Sequence, residues 1–337
     1  MLTASSPHSK TALPDESPFS QEAIEQALAH WDISVSSYEL VSLSENVVYK
    51  VLAQEGSFAL RIHRPGYNSN EELECELMWC RALNQSNIDT PAQRVTQTGA
   101  NYANVEVQPN DFRAVGLIDW LDGKQMAELI EEAEPEVAIE HYATLGVLIA
   151  RMHTQAVAWN PPALFTRKIW DASGLVGLNP LWGKFWQSQY LTTDEAQLMA
   201  QARETLFDHL LHLPKSPETY SLIHADLHPH NVLVIGTQLY AIDFDDCGFG
   251  WHYYDLAVAL HHLRDNEHFD AIEQALLRGY RSERSLPDAE HHLPLFYLVR
   301  SLLGLAWISA RPELSTDDKI RNRIEPLIAQ VNQFFSR

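Results

Sequence analysis

The sequence predicts an α+β fold of two lobes, a small N-terminal lobe rich in antiparallel β-strands and a larger, mostly helical C-terminal lobe. Three observations lead to this prediction. From Val35 to Arg64, short apolar runs follow one another in the manner of antiparallel strands. After Gly123, apolar residues recur at helical spacing instead. Between Ser221 and Asp246, three further apolar runs end in polar residues, which indicates small buried strands within the helical lobe.

The composition limits where the protein works and what it binds. Its 337 residues suffice for one large or two ordinary domains. The net charge of −21 argues against a nucleic-acid backbone or an anionic membrane surface as a partner. The three cysteines lack a zinc-binding spacing, and neither a membrane-length apolar run nor a secretion signal is evident. We therefore expect a soluble cytoplasmic protein with no nucleic-acid or membrane partner, whose oligomeric state stays open.

The N-terminal lobe is predicted to begin after a disordered tail. Residues 1–19 are rich in proline and serine and poor in apolar side chains, which is typical of disorder. Ser20 then caps a short amphipathic helix. Three antiparallel strands follow within residues 38–62, and a longer helix covers Glu71–Leu83. A further strand, Ala114–Trp120, ends this lobe.

Boundaries between the lobes follow from this order. We predict the N-terminal lobe at residues 20–118, a connecting segment at 119–123 and the C-terminal lobe at 124–337. Helical spacing in the C-terminal lobe predicts five long helices, at Glu136–Thr154, Asp194–Leu211, His268–Tyr280, His291–Ala310 and Asp317–Phe335.

The side chains best suited to chemistry lie in the stretch from Ser221 to Asp246. Asp226 follows the first apolar run, Asn231 precedes the second, and Asp243 follows the third. Two strand ends would therefore present these three residues at one edge. Their types suit phosphoryl transfer, because a carboxylate can orient an acceptor hydroxyl and take its proton. An amide oxygen and a second carboxylate can hold magnesium on the phosphates.

This stretch resembles the active-site segment of the protein-kinase-like fold. Protein kinases carry H-R-D-L-x-x-x-x-N followed by D-F-G. This chain reads His224-Ala225-Asp226-Leu227-His228-Pro229-His230-Asn231 and then Asp243-Phe244-Asp245. The aminoglycoside phosphotransferase and choline kinase family, which shares that fold, has roughly H-x-D-x-x-x-x-N followed by D-F-[DE], and both halves match.

The resemblance implies a two-lobed protein-kinase-like fold with a nucleotide-binding N-terminal lobe and a catalytic, acceptor-binding C-terminal lobe. It also implies ATP and Mg²⁺ as cofactors. Asp226 would be the catalytic base, with Asn231 and Asp243 as magnesium ligands. Asp255, in a D-L-A element, matches the family's aspartate that braces the catalytic loop.

The resemblance further implies a phosphate-binding cation in the N-terminal lobe. Arg61 stands where the fold normally places a lysine against the phosphates. Arginine is always charged and binds phosphate bidentately, so the electrostatic role survives, although a solvent-facing strand arginine is the alternative. Glu76 is its predicted partner on the following helix, with Glu72 and Glu74 as nearby acids that leave the register open.

Two backbone segments are also implied to bind the nucleotide. The turn that contains Ser44 and Asn46 lies where the fold covers the ATP phosphates, although an ordinary polar hairpin explains it equally well. This turn has no glycine, unlike the G-x-G-x-x-G loop of protein kinases. The segment 119–123 looks like the hinge, so backbone groups of Asp119 and Leu121 are expected to bond adenine.

We therefore predict an enzyme, an ATP-dependent phosphotransferase that moves the γ-phosphoryl group to a hydroxyl of a small molecule. D-F-D in place of D-F-G, and the lack of an A-P-E segment, favour a small-molecule acceptor over a protein. The acidic Asp245 and Asp246 favour a cationic acceptor such as an amino alcohol or an aminoglycoside, and so do the tryptophans Trp170, Trp182, Trp186 and Trp251. The tryptophans would alternatively serve packing alone.

Two other function classes stay open at this point. The first is a metal-dependent hydrolase, in which His224, Asp226, His228 and His230 bind a transition metal. The second is a catalytically inactive nucleotide-binding protein. His153 ends a helix in the family's A-R-L-H manner, and we interpret it as a packed histidine and not as a catalytic one.

Overall fold

The computed structural model describes residues 17–44, 46–131, 133–311 and 316–336. These residues form two compact units. The N-terminal unit comprises the described residues up to Gly123 together with Pro162–Thr166, and the C-terminal unit comprises the described residues of 124–161 and from Arg167 onward. The predicted α+β class is confirmed, since an antiparallel sheet dominates the first unit and helices dominate the second.

A six-stranded antiparallel sheet is the centre of the N-terminal unit. The elements of this unit are α1 (Gln21–Leu28), β1 (Val35–Leu43), β2 (Val47–Ala53), β3 (Gly56–Ile62), α2 (Asn70–Gln85), β4 (Gln93–Arg94), β5 (Ala103–Gln108) and β6 (Asp111–Asp119). The strands run in the order β1-β2-β3-β6-β4, and β5 pairs with β6. The three strands predicted within residues 38–62 are present, and the first begins three residues earlier, at Val35.

The packed core of this unit starts before residue 20. Residues 1–16 of the predicted tail lie outside the described residues. Phe19 is only 5% exposed and packs in the same apolar core as Ile24 and Leu60, and the Ser17 hydroxyl lies 2.6 Å from that of Tyr49. The ring of Phe19 therefore joins the core ahead of the helix. Ser20 caps that helix as predicted, because its side chain accepts a hydrogen bond from the Ala23 N–H.

The described part of the C-terminal unit contains two small sheets among its helices. One sheet pairs β7 (Lys124–Gln125) with β10 (Val232–Ile235) and β10 with β11 (Gln238–Ala241), and the other pairs β12 (Gly248–Trp251) with β8 (Lys168–Trp170) and β9 (Tyr220–Ile223). The helices are α3 (Met126–Ile130), α4 (Pro135–Ala158), α5 (Ala172–Val176), α6 (Thr193–His212), α7 (His252–Leu260), α8 (Phe269–Glu283), α9 (Ala289–Ser309) and α10 (Asp317–Phe335).

Strands β8 and β12 lie side by side and parallel, a pairing that sequence spacing does not predict. A Cβ atom on Gly248 would come within 2.3 Å of the Lys168 carbonyl oxygen, so glycine is what allows the two backbones to approach. Helices α4 and α8 approach each other in the same way. A Cβ on Gly279 of α8 would lie 1.9 Å from the Ala143 carbonyl oxygen of α4.

Helix α9 is the most apolar long helix among the described residues. By length and composition it could cross a membrane, which inspection of the sequence did not predict. However, 67% of its most apolar window is buried within the protein, as in the core helix of a folded domain. Arg300 lies in the middle of this helix and is itself only 5% exposed.

Candidate active site

The loop that follows β9 carries Asp226 and is held by a buried carboxylate on α7. Asp255 accepts hydrogen bonds from the N–H groups of His224 (3.0 Å) and Ala225 (2.6 Å). Burial raises the pKa of Asp255 to about 6, although His224 and the two N–H groups act in the opposite direction. The prediction that Asp255 braces the loop backbone is confirmed.

His153 supports this brace from α4. It is fully buried, with Nε2 3.0 Å from Asp255 Oδ2 and Nδ1 2.9 Å from the Tyr280 hydroxyl. Burial lowers the pKa of His153 well below its usual value, so the ring is neutral. The contacts place its proton on Nε2, facing the carboxylate. His153 is thus the packed, hydrogen-bonded histidine that the sequence predicts.

Two residues of the site have left-handed backbone without being glycine. Ala225 has φ of 66° and Asp243 has φ of 65°. Such conformations cost about 1 kcal/mol or more for most residues and persist where surrounding contacts fix them. The bond to Asp255 fixes Ala225 in this way. Ala225 directly precedes Asp226, so its fixed backbone conformation restrains the start of the loop that carries Asp226.

The Asp226 carboxylate is held at both of its oxygens. Asn231 Nδ2 donates to Asp226 Oδ2 at 3.1 Å and to the Asp226 backbone carbonyl at 2.9 Å. Arg300 Nη2 donates to Oδ1 at 2.7 Å. His228 Nε2 lies 3.4 Å from Oδ2. The predicted base therefore occupies a fixed position, in contact with one residue, Arg300, that sequence reasoning does not single out.

Asn231 and Asp243 lie at the adjoining ends of two paired strands. The pairing of β10 with β11 continues for one step beyond the strands, because the Ile242 N–H donates to the Asn231 carbonyl at 3.0 Å. Asp243 follows directly and is exposed. Since the amide nitrogen of Asn231 bonds Asp226, its Oδ1 is the atom turned toward other ligands. An amide oxygen and an exposed carboxylate are donors that fit Mg²⁺.

Three side chains of the β8 segment hold the backbone that follows Asp243. Arg167 donates to the carbonyl oxygens of Phe244 (3.1 Å), Asp245 (2.7 Å) and Cys247 (2.8 Å). Lys168 Nζ also donates to the Asp245 carbonyl, at 2.8 Å, and Trp170 Nε1 donates to that of Asp246, at 2.7 Å. We call Arg167, Lys168 and Trp170 the carbonyl clamp. The sequence gives no signal for it beyond two adjacent cations before a buried tryptophan.

The clamp changes the interpretation of the acidic and aromatic residues near the site. Asp245 and Asp246 are buried, at 5% and 6% exposure, and Lys168 Nζ lies 4.0 Å from Asp246 Oδ1. Trp170 and Trp251 are fully buried. These residues therefore do not form an open acidic and aromatic surface for a cation, and the packing alternative describes the two tryptophans correctly.

In the N-terminal unit, Arg61 on β3 and Glu76 on α2 form a buried ion pair. Arg61 Nη1 lies 3.3 Å from Glu76 Oε1, and the side chains are 12% and 5% exposed. The alternative acids have other partners. Glu72 caps its own helix by accepting from the Ser69 N–H, and Glu74 accepts from Asn101. The structure therefore pairs Arg61 with Glu76, the choice implied by the resemblance.

The turn between β1 and β2 places its two predicted contact residues differently. Ser44 is exposed, and its N–H donates to the Asn46 carbonyl at 3.1 Å. Asn46 is 5% exposed, and its Oδ1 accepts from the Arg64 N–H at 3.3 Å. The side-chain oxygen of Asn46 thus joins the turn to the segment after β3, and Ser44 is the exposed member of the pair.

The predicted hinge continues directly from β6. The Asp119 N–H donates to the Ala92 carbonyl at 2.8 Å, so this amide is committed within the unit. An adenine contact by Asp119 would therefore use its carbonyl oxygen. The Leu121 carbonyl accepts from the Gly123 N–H at 2.9 Å. An adenine contact by Leu121 would therefore use its N–H.

The histidine-rich loop does not have the arrangement that a hydrolase metal centre needs. His224 bonds the Ile242 carbonyl through Nε2 (3.0 Å) and the Asp226 N–H through Nδ1 (3.3 Å), so both ring nitrogens serve the loop itself. Within the described ranges, no group of three or more histidine, cysteine or acidic side chains is placed to hold a metal ion. The geometry does not favour the hydrolase alternative.

The chain is similar to known proteins over most of its length. The phosphotransferase enzyme family (APH) matches residues 39–292. The solved structure of a microcompartment-associated aminopropanol kinase is 32% identical, with a TM-score of 0.81 over 93% of this chain and 97% of that one. Amicoumacin kinase of Bacillus subtilis (strain 168) is 25% identical over 245 residues, 72% of this chain and 68% of that protein. Amicoumacin kinase hAmiN, solved with AMP-PNP and Ca²⁺, is 21% identical with a TM-score of 0.77, covering 93% of each chain.

Proposed function

The chain belongs to the phosphotransferase enzyme family, and from this premise we propose that it transfers the γ-phosphoryl group of ATP to a hydroxyl of a small molecule, with Mg²⁺ as the divalent ion. One observation carries the proposal. Asp226 is held on a braced loop by the amide of Asn231, and the Asn231 backbone pairs with the residue before Asp243. This arrangement combines a base with two oxygen donors for a metal, as phosphoryl transfer requires.

Each residue has a distinct role in this proposal. Asp226 accepts a hydrogen bond from the acceptor hydroxyl, orients it and takes its proton. Asn231 Oδ1 and the Asp243 carboxylate hold the divalent ion, which when bound neutralises charge on the phosphates. The Asp255 brace keeps the loop in place, so Asp226 needs no reorganisation before the proton moves.

We place the nucleotide contacts in the N-terminal unit. Arg61 binds phosphate oxygens, and Glu76 fixes the direction of its guanidinium. Ser44 and Asn46 cover the phosphates through the turn, and the backbone of Asp119 and Leu121 bonds adenine. The ion pair supports the first of these roles, because an arginine held at one nitrogen can present its remaining N–H groups to phosphate oxygens in a fixed direction.

Arg61 provides a direct test of these contacts. We expect Arg61→Ala to raise KM for ATP and to lower kcat/KM about tenfold or more, since a charge-assisted hydrogen bond contributes about 1.5–3 kcal/mol. Arg61→Lys should recover part of the loss, because it keeps the charge but not the fork. The matched control is Arg113→Ala, which removes a β6 arginine paired with Asp111 at 2.7 Å. Equal kinetics for Arg61→Ala and the control would remove Arg61 from the nucleotide site.

We propose that the acceptor carries an amine beside its hydroxyl. The 32% identity to an aminopropanol kinase supports this chemistry, and the net charge of −21 favours a cation over an anion. Asp245 and Asp246 do not support it, because both are buried. Cys75, Cys80 and Cys247 are buried and form no disulfide within the described residues, which supports a reducing location such as the cytoplasm.

An acceptor panel tests the proposal. Release of ADP from Mg²⁺-ATP should be fastest with amino alcohols such as 1-amino-2-propanol, ethanolamine or choline. The compounds for comparison are homoserine, an aminoglycoside, a neutral sugar and a hydroxy acid, and each is measured at low and at high salt. Higher salt should raise KM for a cationic acceptor. A neutral sugar or hydroxy acid as the best acceptor, without salt dependence, would show that the acceptor is not a cation. No acceptor-dependent ADP release with any compound would contradict phosphotransfer itself.

A further inference from the structure

Arg300 contacts the proposed base from the middle of helix α9. Its Nη2 donates to Asp226 Oδ1 at 2.7 Å, and the two residues are 74 positions apart in the sequence. The arginine side chain is 6% exposed and that of Asp226 is 15% exposed. A charged hydrogen bond in such surroundings is little weakened by water or salt. Arg300 is therefore a strong constraint on the position of Oδ1.

The guanidinium of Arg300 is itself fixed by an aromatic face. Its central carbon lies 4.5 Å from the centre of the Trp182 ring, and Trp182 is only 7% exposed. The sequence suggested Trp182 as a contact for a cationic acceptor, and in the structure the cation over its ring is the side chain of Arg300. Stacking of this kind holds a planar guanidinium in one orientation, which a lysine ammonium cannot reproduce.

Tyr254 restrains the guanidinium as a third neighbour. Its ring is fully buried, and its hydroxyl interacts with the Arg300 side chain. Arg300 therefore contacts Asp226, Trp182 and Tyr254, and contacts on several sides hold a planar guanidinium in one orientation.

We propose that Arg300, stacked on Trp182, is a positioning residue that sets the orientation of the Asp226 carboxylate for the acceptor hydroxyl. This inference rests on the proposed function. The carboxylate torsion of an aspartate is broad and roughly two-fold when no partner restrains it. Asn231 donates to Oδ2 and Arg300 donates to Oδ1. Because each carboxylate oxygen has its own donor, the plane of the carboxylate is determined. A base held in this way meets the hydroxyl in a reactive geometry.

The first experiment compares Arg300→Met, Arg300→Lys and Trp182→Phe under steady-state conditions. Arg300→Met should lower kcat about ten- to hundredfold, the scale of a misoriented catalytic group, while KM for ATP changes less than about twofold. Arg300→Lys should recover part of the loss, and Trp182→Phe should keep most of the activity because it keeps an aromatic face. A parallel rise in KM for ATP and fall in kcat in all three variants would indicate general damage to the fold and overturn the proposal.

Arg311 is a matched control. It lies just beyond α9, is 6% exposed and stacks at 4.5 Å on Trp307, but lies eleven positions from Arg300, about 16 Å along a helix axis. Arg311→Met should lower the midpoint of thermal unfolding and leave kcat unchanged. If Arg311→Met lowers kcat as much as Arg300→Met does, loss of any buried arginine has this effect, and the proposal fails.

A double-mutant cycle separates action through Asp226 from an independent role. In an Asp226→Asn background, Arg300→Met should lower the residual turnover less than about twofold, because the group that it orients is gone. The full ten- to hundredfold loss in that background would overturn the proposal.

The same cycle measured by urea unfolding, without substrates, should show coupling between the two residues, and additive unfolding free energies would also overturn it. A wild-type protein inactive with every acceptor would instead contradict the proposed function.

Discussion

Asp226→Asn is expected to lower kcat about a hundredfold or more while ATP affinity stays close to that of the wild type. The amide has the size of the carboxylate but cannot take the proton of an acceptor hydroxyl, and general bases typically contribute two to four orders of magnitude. The substitution also turns an NH₂ group toward either Arg300 or Asn231, both of which donate to Asp226. We therefore expect a modest loss of stability in addition, because one donor then faces another.

The measurements are acceptor-dependent ADP release and calorimetric titration with Mg²⁺-ATP. Asp208→Asn on α6 is the control, since that side chain is 74% exposed and its substitution should change neither quantity. Turnover of Asp226→Asn within a few-fold of wild type would show that Asp226 is not the base. Loss of ATP binding in this variant would assign Asp226 to the metal and not to the acceptor.

Asp243→Ala is expected to weaken Mg²⁺-supported binding of ATP at least tenfold and to lower turnover further. Substituting a residue that only hydrogen-bonds a metal ligand typically lowers metal affinity ten- to hundredfold. Removing a ligand itself should lower metal affinity at least as much. Alanine also tolerates the φ of 65° at this position less well than aspartate does. Asp243→Asn is therefore the second variant, because it keeps the shape and this tolerance but removes the charge.

Titration of Mg²⁺ at fixed ATP distinguishes the metal from the nucleotide. Both Asp243 variants should need more Mg²⁺ for half-maximal activity, whereas Asp226→Asn should not. Glu267→Gln provides a control for an exposed acid on the same unit, with its side chain 88% exposed. Unchanged affinity and unchanged turnover in Asp243→Asn would remove this residue from the metal site.

The residues that sequence spacing predicts well are those whose partners are close along the chain. Asp226 and Asn231 are five positions apart and bond each other, and the strands on either side of Gly236 form a hairpin. Local spacing of apolar runs is enough to bring such residues together. The Arg61–Glu76 pair is fifteen positions apart, and the resemblance was needed to choose Glu76 over Glu72 and Glu74 on the same helix.

The residues that spacing does not predict are held by distant parts of the chain. Arg300 reaches Asp226 across 74 positions, and its signal in the sequence is a lone cation within the apolar run of α9. A buried arginine is rare unless it is paired, so that signal was available but named no partner. The sequence does not predict the carbonyl clamp, because the clamp bonds backbone carbonyls, which every residue has.

The expectation of an acidic and aromatic surface for a cation failed for a physical reason. Asp245 and Asp246 were expected at the surface because acids are usually exposed, whereas packing was already an alternative for the tryptophans. The structure buries both acids, with carbonyl oxygens bonded to Lys168 and Trp170. Burial depends on tertiary neighbours that a single sequence does not reveal.

The carbonyl clamp also bears on the order in which the site forms during folding. Its five hydrogen bonds join residues 76 to 80 positions apart, whereas the bonds between Asp226 and Asn231 span five. Closing a long loop costs conformational entropy before any contact offsets it, and non-local contacts slow folding. During synthesis on the ribosome, Arg167 emerges well before the carbonyls it holds. We therefore expect the segment that follows Asp243 to become ordered late, after the β10–β11 hairpin beside it has formed.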